Sequence, residues 1–315
     1  MSGTDKDIKK LIEAVEREDL IVFVGAGVSR LVGGPSWEKL AKEYLKHLYL
    51  NKAINYSTHQ YLYKEDTRKL ISICREIEKI NPKKPQFDIN SVLNNIDKSK
   101  ELQFCSDIYT HLCNFSSIFV TTNYDCYIDN EIVGKINLKK PQEEVQNPSS
   151  GPIIYHYEDI HSTSILKNKN VIHIHGSVND PKKGRRYVLT IQDYFEAYDA
   201  TTSMLPKFLE EIFDTRTVLF IGYGLEEYEI LEYMLKRKRD MRHFMLYPVL
   251  KEEEAFFHFQ ESYYAGLGVK LIKFNISKLG HRQLYYEVKE LASKVGPNAR
   301  SKEKLAKLKL VDEIL

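Results

Sequence analysis

The sequence is poor in cysteine, and its cysteines are not spaced as metal ligands. The four residues, Cys74, Cys105, Cys113 and Cys126, never form a C-x-x-C pair. Structural zinc sites commonly use such pairs, so no metal is predicted here. The thiols are expected to be reduced and buried.

Long apolar runs and a strong charge imbalance are also absent. No apolar run approaches the roughly twenty residues that a membrane span needs, and the first residues, MSGTDKDIKK, contain no apolar signal-peptide core. The formal net charge of +2 gives no global reason to expect binding to nucleic acid or to a membrane. We therefore predict a cytoplasmic globular protein, for which 315 residues provide a large core.

The stretch LIVFVGAGVS, residues 20–29, organises the rest of the chain. Its first five residues are apolar without period-two alternation, as in a parallel strand covered on both faces. Gly25 and Gly27 then permit a sharp turn and a close backbone approach to a ligand. Amides at Ala26 and Gly27, with the Ser29 hydroxyl, would suit a pyrophosphate. A tight turn without a ligand is the alternative, because the third glycine of G-x-G-x-x-G is missing.

A second buried strand is predicted in SSIFVTTNYD, residues 116–125, and it ends in polar residues. In an open α/β sheet the ligand lies beyond the carboxyl ends of the strands. Asn123 and Asp125 would therefore face the same crevice as the glycine turn. Either residue could instead cap the following helix, since Asn and Asp are good N-caps.

A third strand is predicted in VIHIHGSV, residues 171–178, where His173 and His175 would point to the same face. An H-x-H pair can bind a metal, but no cysteine or carboxylate cluster accompanies it locally. The alternative is a buried histidine bonded to a backbone carbonyl. Because His175 stands directly before Gly-Ser at the strand end, it is the candidate titratable residue of the site.

A fourth strand, TVLFIGYGL, repeats the pattern of the first, with Gly222, Tyr223 and Gly224 forming its turn. Two glycine turns after two buried strands favour a ligand site more than one does. The single tryptophan, Trp37, heads the predicted helix after the first turn. It would either line the ligand cleft or anchor a core.

Buried strands alternate with helices along the chain, which predicts an α/β fold with a doubly wound, mostly parallel Rossmann-like sheet. We predict one domain over residues 1–297, with a helical insertion at about 51–100 and a further excursion at about 139–170. Residues 298–315 are predicted to form an amphipathic C-terminal helical tail.

In this order, GAGVS, TTNYD, HIHGS and IGYGL resemble the signature motifs of sirtuins. In detail they resemble the sirtuin-like NAD+-hydrolase (NADase) domains of bacterial antiphage defence systems. The resemblance implies a sirtuin-type fold and NAD+ as the substrate. It also implies cleavage of NAD+ to nicotinamide and ADP-ribose, which depletes NAD+ when infection is sensed.

The resemblance further implies roles for individual residues. His175 would act as general base, and Asn123 would hold a ribose hydroxyl or the attacking water. Asp125 would orient Asn123 or its loop. The second glycine turn, Gly222 to Gly224, and Asn275 would bind the adenosine half.

Two departures from protein-deacylating sirtuins argue against deacylation. Those enzymes carry two C-x-x-C pairs, and their loop after GAG reads close to GIPDFR, whereas here it reads RLVGGPSWEKL. A deacylase, an ADP-ribosyltransferase or a non-catalytic nucleotide-sensing subunit of a larger complex remain alternatives. The resemblance implies a homo-oligomer or a defence partner, such as a helicase, an Argonaute or a sensor subunit.

Overall fold

The computed structural model describes residues 3–93, 105–115, 118–137, 153–167, 170–182, 184–235 and 241–296. Within these ranges seven strands form one sheet in the order β3-β4-β2-β1-β5-β6-β7, and all neighbours pair in parallel. The strands are β1 (Leu20–Val24), β2 (Ile118–Thr121), β3 (Ile153–Ile154), β4 (Val171–His173), β5 (Thr217–Ile221), β6 (His243–Val249) and β7 (Val269–Asn275). The predicted Rossmann-like α/β fold is confirmed.

Helices flank this sheet. In the described ranges they are α1 (Gly3–Glu16), α2 (Ala26–Leu31), α3 (Trp37–Leu50), α4 (Tyr56–Leu62), α5 (Thr67–Ile80), α6 (Ile89–Leu93), α7 (Ile108–Leu112), α8 (Tyr127–Asn137), α9 (Ile191–Ala197), α10 (Leu205–Thr215), α11 (Tyr228–Leu235), α12 (Phe257–Gly266) and α13 (Gln283–Val295). None of them is long and apolar enough to cross a membrane.

Strand β1 is continuously apolar because helices cover both faces of the sheet. Ile21 and Phe23 pack into the core on one face, whereas Leu20, Val22 and Val24 pack into the core on the other. All five side chains are at most 2% exposed. A polar residue at any of these positions would lose its hydration without gaining a partner.

Helices α3 to α6 form a separate helical layer around a third apolar cluster. In this cluster α3 packs against α4, α5 and α6. Tyr124 and Leu189, from loops of the sheet domain, join the same cluster. The layer therefore sits on the loops that follow the strands. Much of the predicted insertion at about 51–100 belongs to it, while residues 94–104 lie outside the described residues.

Two predicted segments fall partly or wholly outside the described residues. The excursion at about 139–170 is described over 153–167 and at Asn170, where it supplies the edge strand β3 and two 3-10 turns. The C-terminal helical tail, residues 298–315, lies outside the described residues.

The order of the strands creates a crevice next to β1. After β1 the chain builds β2, β3 and β4 on one side, and then crosses to β5 on the other side. Ligands of open parallel sheets bind at such a switch point, beyond the carboxyl ends of the strands. The fold therefore places the two glycine turns side by side.

Candidate active site

A cavity of about 500 Å³ opens at the carboxyl ends of β1, β2, β4 and β5. Eight of the twelve residues proposed from the sequence line it: Ala26, Ser29, Trp37, Asn123, Asp125, His175, Tyr223 and Gly224. The helical layer adds Asp66, Thr67, Arg68 and Leu93. Motifs that are far apart in sequence thus converge on one space.

The two glycine turns pack against each other and leave little room between them. The Gly27 amide donates a hydrogen bond to the Gly222 carbonyl at 2.8 Å, and the Gly25 amide donates to the Ile221 carbonyl at 3.0 Å. A Cβ on Gly25 would lie 2.4 Å from the Gly222 oxygen. The Gly27 amide is thus bonded within the protein, and pyrophosphate binding at this turn stays a prediction. Gly25, Gly27 and Gly222 support the cavity wall without lining the cavity.

Ser29 lies at the centre of a buried polar network. The Asn123 side-chain amide donates to Ser29 Oγ at 2.9 Å, and Ser29 Oγ donates to Asp125 Oδ2 at 2.6 Å. Burial raises the pKa of the Asp125 carboxyl, and the bond from Ser29 opposes that rise. The Ser29 hydroxyl is therefore bonded to Asp125 in this structure, and its contact with a pyrophosphate stays a prediction. The network orients the Asn123 side chain. Its Nδ2 donates within the network, and its Oδ1 is the acceptor atom of the side chain.

His173 is a structural residue that fixes the loop carrying Asn123. Its Nδ1 bonds the Asn123 carbonyl oxygen at 2.9 Å, and its Nε2 bonds Asp129 Oδ1 at 2.8 Å. Both ring nitrogens face acceptors, which favours the doubly protonated ring. Although burial opposes the charge, Asp129 and these bonds raise the pKa of His173. The described residues contain no group of three or more His, Cys, Asp or Glu arranged to hold a metal ion.

His175 lines the cavity and is 1% exposed. Its Nε2 lies 2.9 Å from the Tyr198 hydroxyl and 3.8 Å from Glu227 Oε2. Burial, followed by the nearby positive charge of Arg68, lowers the pKa of His175 to about 3. This pKa lies well below that of an unperturbed histidine, which is roughly 6.5. The imidazole is neutral at neutral pH.

Glu227 is a residue of the cavity wall that the sequence interpretation missed. It follows the second glycine turn. Leu225, between the turn and Glu227, has a positive φ of 51°, and its buried side chain anchors the turn in the core. Burial raises the pKa of Glu227 to about 7, although Arg68 opposes the rise. The rule that found Asn123, a polar residue beyond the end of a buried strand, applies equally to Glu227.

Arg68 reaches the cavity from the first turn of α5 in the helical layer. It is the one lysine or arginine among the described lining residues. Its Nη1 donates to Glu229 Oε1 at 2.8 Å, and its guanidinium lies 4.1 Å from the centre of the Tyr194 ring. No local sequence signal marks it, because only the packing of the helical layer on the sheet domain brings it here.

Trp37 combines both of the roles considered from the sequence. It lines the cavity, and it packs against the core of the helical layer. Its ring stacks on Tyr124 with the centroids 5.8 Å apart. The stack joins the helical layer to the loop after β2.

Asn275 lies apart from the other proposed residues. It ends the edge strand β7, is exposed, and accepts a hydrogen bond from the Ser277 amide at 2.8 Å. It is not among the residues that line the cavity. Its role on the adenosine side stays a prediction.

Residues 117–272 match the model of a family described as the SIR2-like domain. This chain contains a SIR2-like domain. The matched part of the SIR2-like domain begins at β2, ends within β7, and includes Asn123, Asp125 and His175. The first glycine turn precedes it.

Three relatives illustrate the similarity. The chain is 30% identical to the defense-associated sirtuin 2 of Bacillus subtilis over 244 residues, which cover 75% of this chain and 21% of the relative. It is 24% identical to the NAD(+) hydrolase ThsA of Bacillus cereus (strain MSX-D12) over 311 residues, 94% of this chain and 57% of the relative. It is 24% identical to the NAD(+) hydrolase ThsA of Cytobacillus dafuensis over 247 residues, 75% of this chain and 42% of the relative. The chain spans less than two thirds of the length of each.

Proposed function

We propose that this SIR2-like domain hydrolyses NAD+ to nicotinamide and ADP-ribose. The observation that carries the proposal is the convergence of Asn123 and His175 on one cavity at the switch point of the sheet. A neutral imidazole can accept a proton from a water molecule, and an oriented side-chain amide can bond that water or a ribose hydroxyl. The similarity to relatives named NAD(+) hydrolase supports this choice of substrate.

The reaction breaks the bond between the ribose C1′ and the nicotinamide nitrogen. The bonding electron pair leaves with nicotinamide, which becomes neutral, and a water oxygen bonds to C1′. Asn123 Oδ1 accepts a hydrogen bond from the ribose or the water, while the neutral His175 ring accepts the proton that the water releases. Trp37 offers an aromatic surface at the cavity for one of the two bases of NAD+.

We further propose that this hydrolysis serves antiphage defence through NAD+ depletion. The proposal is supported by the similarity to a relative named as defense-associated. A toxic hydrolase must be held inactive until it is needed, so we propose control by homo-oligomerisation or by a defence partner. This part of the proposal is tested by measuring NAD+ cleavage in separated oligomeric fractions.

The experiment that tests the activity is incubation of the purified chain with NAD+, with the products separated by chromatography. Wild type is compared with His175→Ala and Asn123→Ala, and with His281→Gln as an exposed control. We expect wild type and the control to release nicotinamide and ADP-ribose in a one-to-one ratio and at the same rate. The two site variants should release at least about a hundredfold less of both products. Wild-type rates in both site variants would overturn the residue assignment.

The same assay separates the alternative functions. Nicotinamide release that requires an acylated peptide or a protein acceptor would indicate a deacylase or an ADP-ribosyltransferase. Stabilisation of the fold by NAD+ without any product would indicate a nucleotide-sensing subunit.

A further inference from the structure

We infer that Glu227 is a positioning residue that forms an ionisable pair with His175 and takes over the proton that His175 accepts. The assignment of a reaction to this pair rests on the proposed function. The pair itself rests on the arrangement of the cavity wall.

The geometry places the Glu227 carboxyl next to the candidate base, where it also interacts with the Tyr223 hydroxyl. Glu227 Oε2 lies 3.8 Å from His175 Nε2, and this oxygen is buried without a hydrogen-bond partner among the described residues. The Tyr198 hydroxyl bonds the same ring nitrogen at 2.9 Å. Because a buried oxygen without a partner is costly, the site is set up to bond a proton donor as soon as one is created.

The charged and titratable groups around Glu227 come from several elements. Arg68 of α5 contributes a positive charge, and Glu229 in the first turn of α11 contributes a negative one. His175 follows β4, and the surroundings also include the hydroxyls of Tyr194 in α9, Tyr198 after α9 and Tyr223 after β5.

These surroundings give the two members of the pair different proton affinities. Burial holds the pKa of His175 at about 3 and brings that of Glu227 to about 7. Within the pair a proton therefore rests on Glu227. The pKa of the Glu227 carboxyl therefore lies near neutral pH, whereas that of His175 does not.

The proton balance of hydrolysis shows what the pair contributes. Water loses one proton when its oxygen bonds to C1′, and His175 accepts that proton. The imidazolium then carries N–H groups at both nitrogens, and Nε2–H donates toward Glu227, which accepts in its ionised form, above its pKa of about 7. Glu227 takes the proton and releases it to solvent, for which its side chain retains 20% exposure.

The pair can be tested without relying on turnover. We would follow the His175 ring by NMR between pH 5 and pH 9, identifying its signal by its loss in His175→Ala. In wild type the signal should shift with a midpoint of about 7 as Glu227 ionises nearby. The shift should vanish in Glu227→Gln, which keeps the shape and removes the charge, and should return in Glu227→Asp. Glu252→Gln, a substitution at an exposed residue that does not line the cavity, should behave as wild type.

The pH dependence of NAD+ cleavage tests the role in the reaction. We expect kcat of wild type to rise toward a plateau with the same midpoint, and kcat of Glu227→Gln to be about a hundredfold lower without that midpoint. A midpoint that survives in the NMR titration of folded Glu227→Gln overturns the pair. If wild type cleaves no NAD+ but the NMR midpoint depends on Glu227, the pair stands and the proposed function fails.

Discussion

The amide nitrogen of Gly27 lies 2.8 Å from the carbonyl oxygen of Gly222 and donates a hydrogen bond to it. This bond joins the turns after β1 and β5, which are 195 residues apart in sequence numbering and adjacent in the sheet. Glycine is needed in both motifs because the two backbones approach too closely for a Cβ. The wall of the cavity depends on the contact, because Ala26 and Tyr223 of the same turns line the cavity.

Alanine at Gly222 is expected to destabilise the protein by at least about 2 kcal/mol. The residue has a φ of +63°, and a Cβ would lie 2.7 Å from the Val28 nitrogen. Gly266→Ala is the matched control, because a Cβ there meets nothing within 4 Å. We expect the control to leave stability unchanged or slightly raised. Urea unfolding followed by circular dichroism measures both, and equal midpoints for the two variants would contradict the prediction.

Substitution of His173 by Gln is expected to lower stability by about 3 kcal/mol and to impair catalysis indirectly. The change removes a buried partner of Asp129 and loosens the loop that carries Asn123. Because folding raises the pKa of His173, its stabilising contribution is present at acid pH and is lost as pH rises through the folded value. The loss of stability should therefore be larger at pH 5.5 than at pH 9. An exposed histidine change, His281→Gln, serves as control, and a deficit independent of pH would contradict the prediction.

Ser29→Ala is expected to reduce kcat by about tenfold while changing KM less. The change removes the acceptor of the Asn123 amide and the donor to the Asp125 carboxyl. It also removes the bond that holds down the pKa of Asp125, so this buried carboxyl should become protonated more readily. Steady-state kinetics with NAD+ measures the effect, with the exposed Ser262→Ala as control. An unchanged kcat would show that the network does not position Asn123.

Glu227→Gln is expected to stabilise the protein at alkaline pH by on the order of 2 to 3 kcal/mol. Folding raises the pKa of Glu227 from 4.5 to about 7, so stability associated with the protonated carboxyl is lost as pH rises through this interval. Glutamine mimics the protonated carboxyl and cannot ionise. Thermal unfolding at pH 5 should give similar midpoints for wild type and variant, whereas at pH 9 the variant should melt higher. A wild type that is the more stable of the two at pH 9 would contradict the assignment of a buried charge.

Much of the fold followed from local patterns. Residues 20–24 predicted a strand buried on both faces, and the glycine turn after it, together with the polar residues after β2, predicted a shared crevice. Such patterns are reliable because a parallel strand covered by helices needs apolar residues throughout, and its carboxyl end is the place where polar residues become possible. The same reasoning could have included Glu227, which follows the turn at the end of β5.

Other features of the site depend on residues that meet only in the folded chain. Arg68 belongs to the helical layer, and Tyr198 lies at the end of α9. The sequence around His175 therefore predicts neither contact. The use of the Gly27 amide and of the Ser29 hydroxyl inside the protein is likewise invisible in the motif GAGVS.

The sequence by itself determined the parallel sheet, the order of its motifs and the edge at which they meet, because these follow from apolar periodicity and from residue types at strand ends. Only the tertiary structure decided which donors are already used and which side chain carries a proton near neutral pH. The reason is physical: hydrogen-bond partners and loss of hydration depend on the surroundings of each group. Burial lowers the pKa of His175 to about 3 and raises that of Glu227 to about 7, so that the pKa of the carboxyl and not that of the imidazole lies near neutral pH.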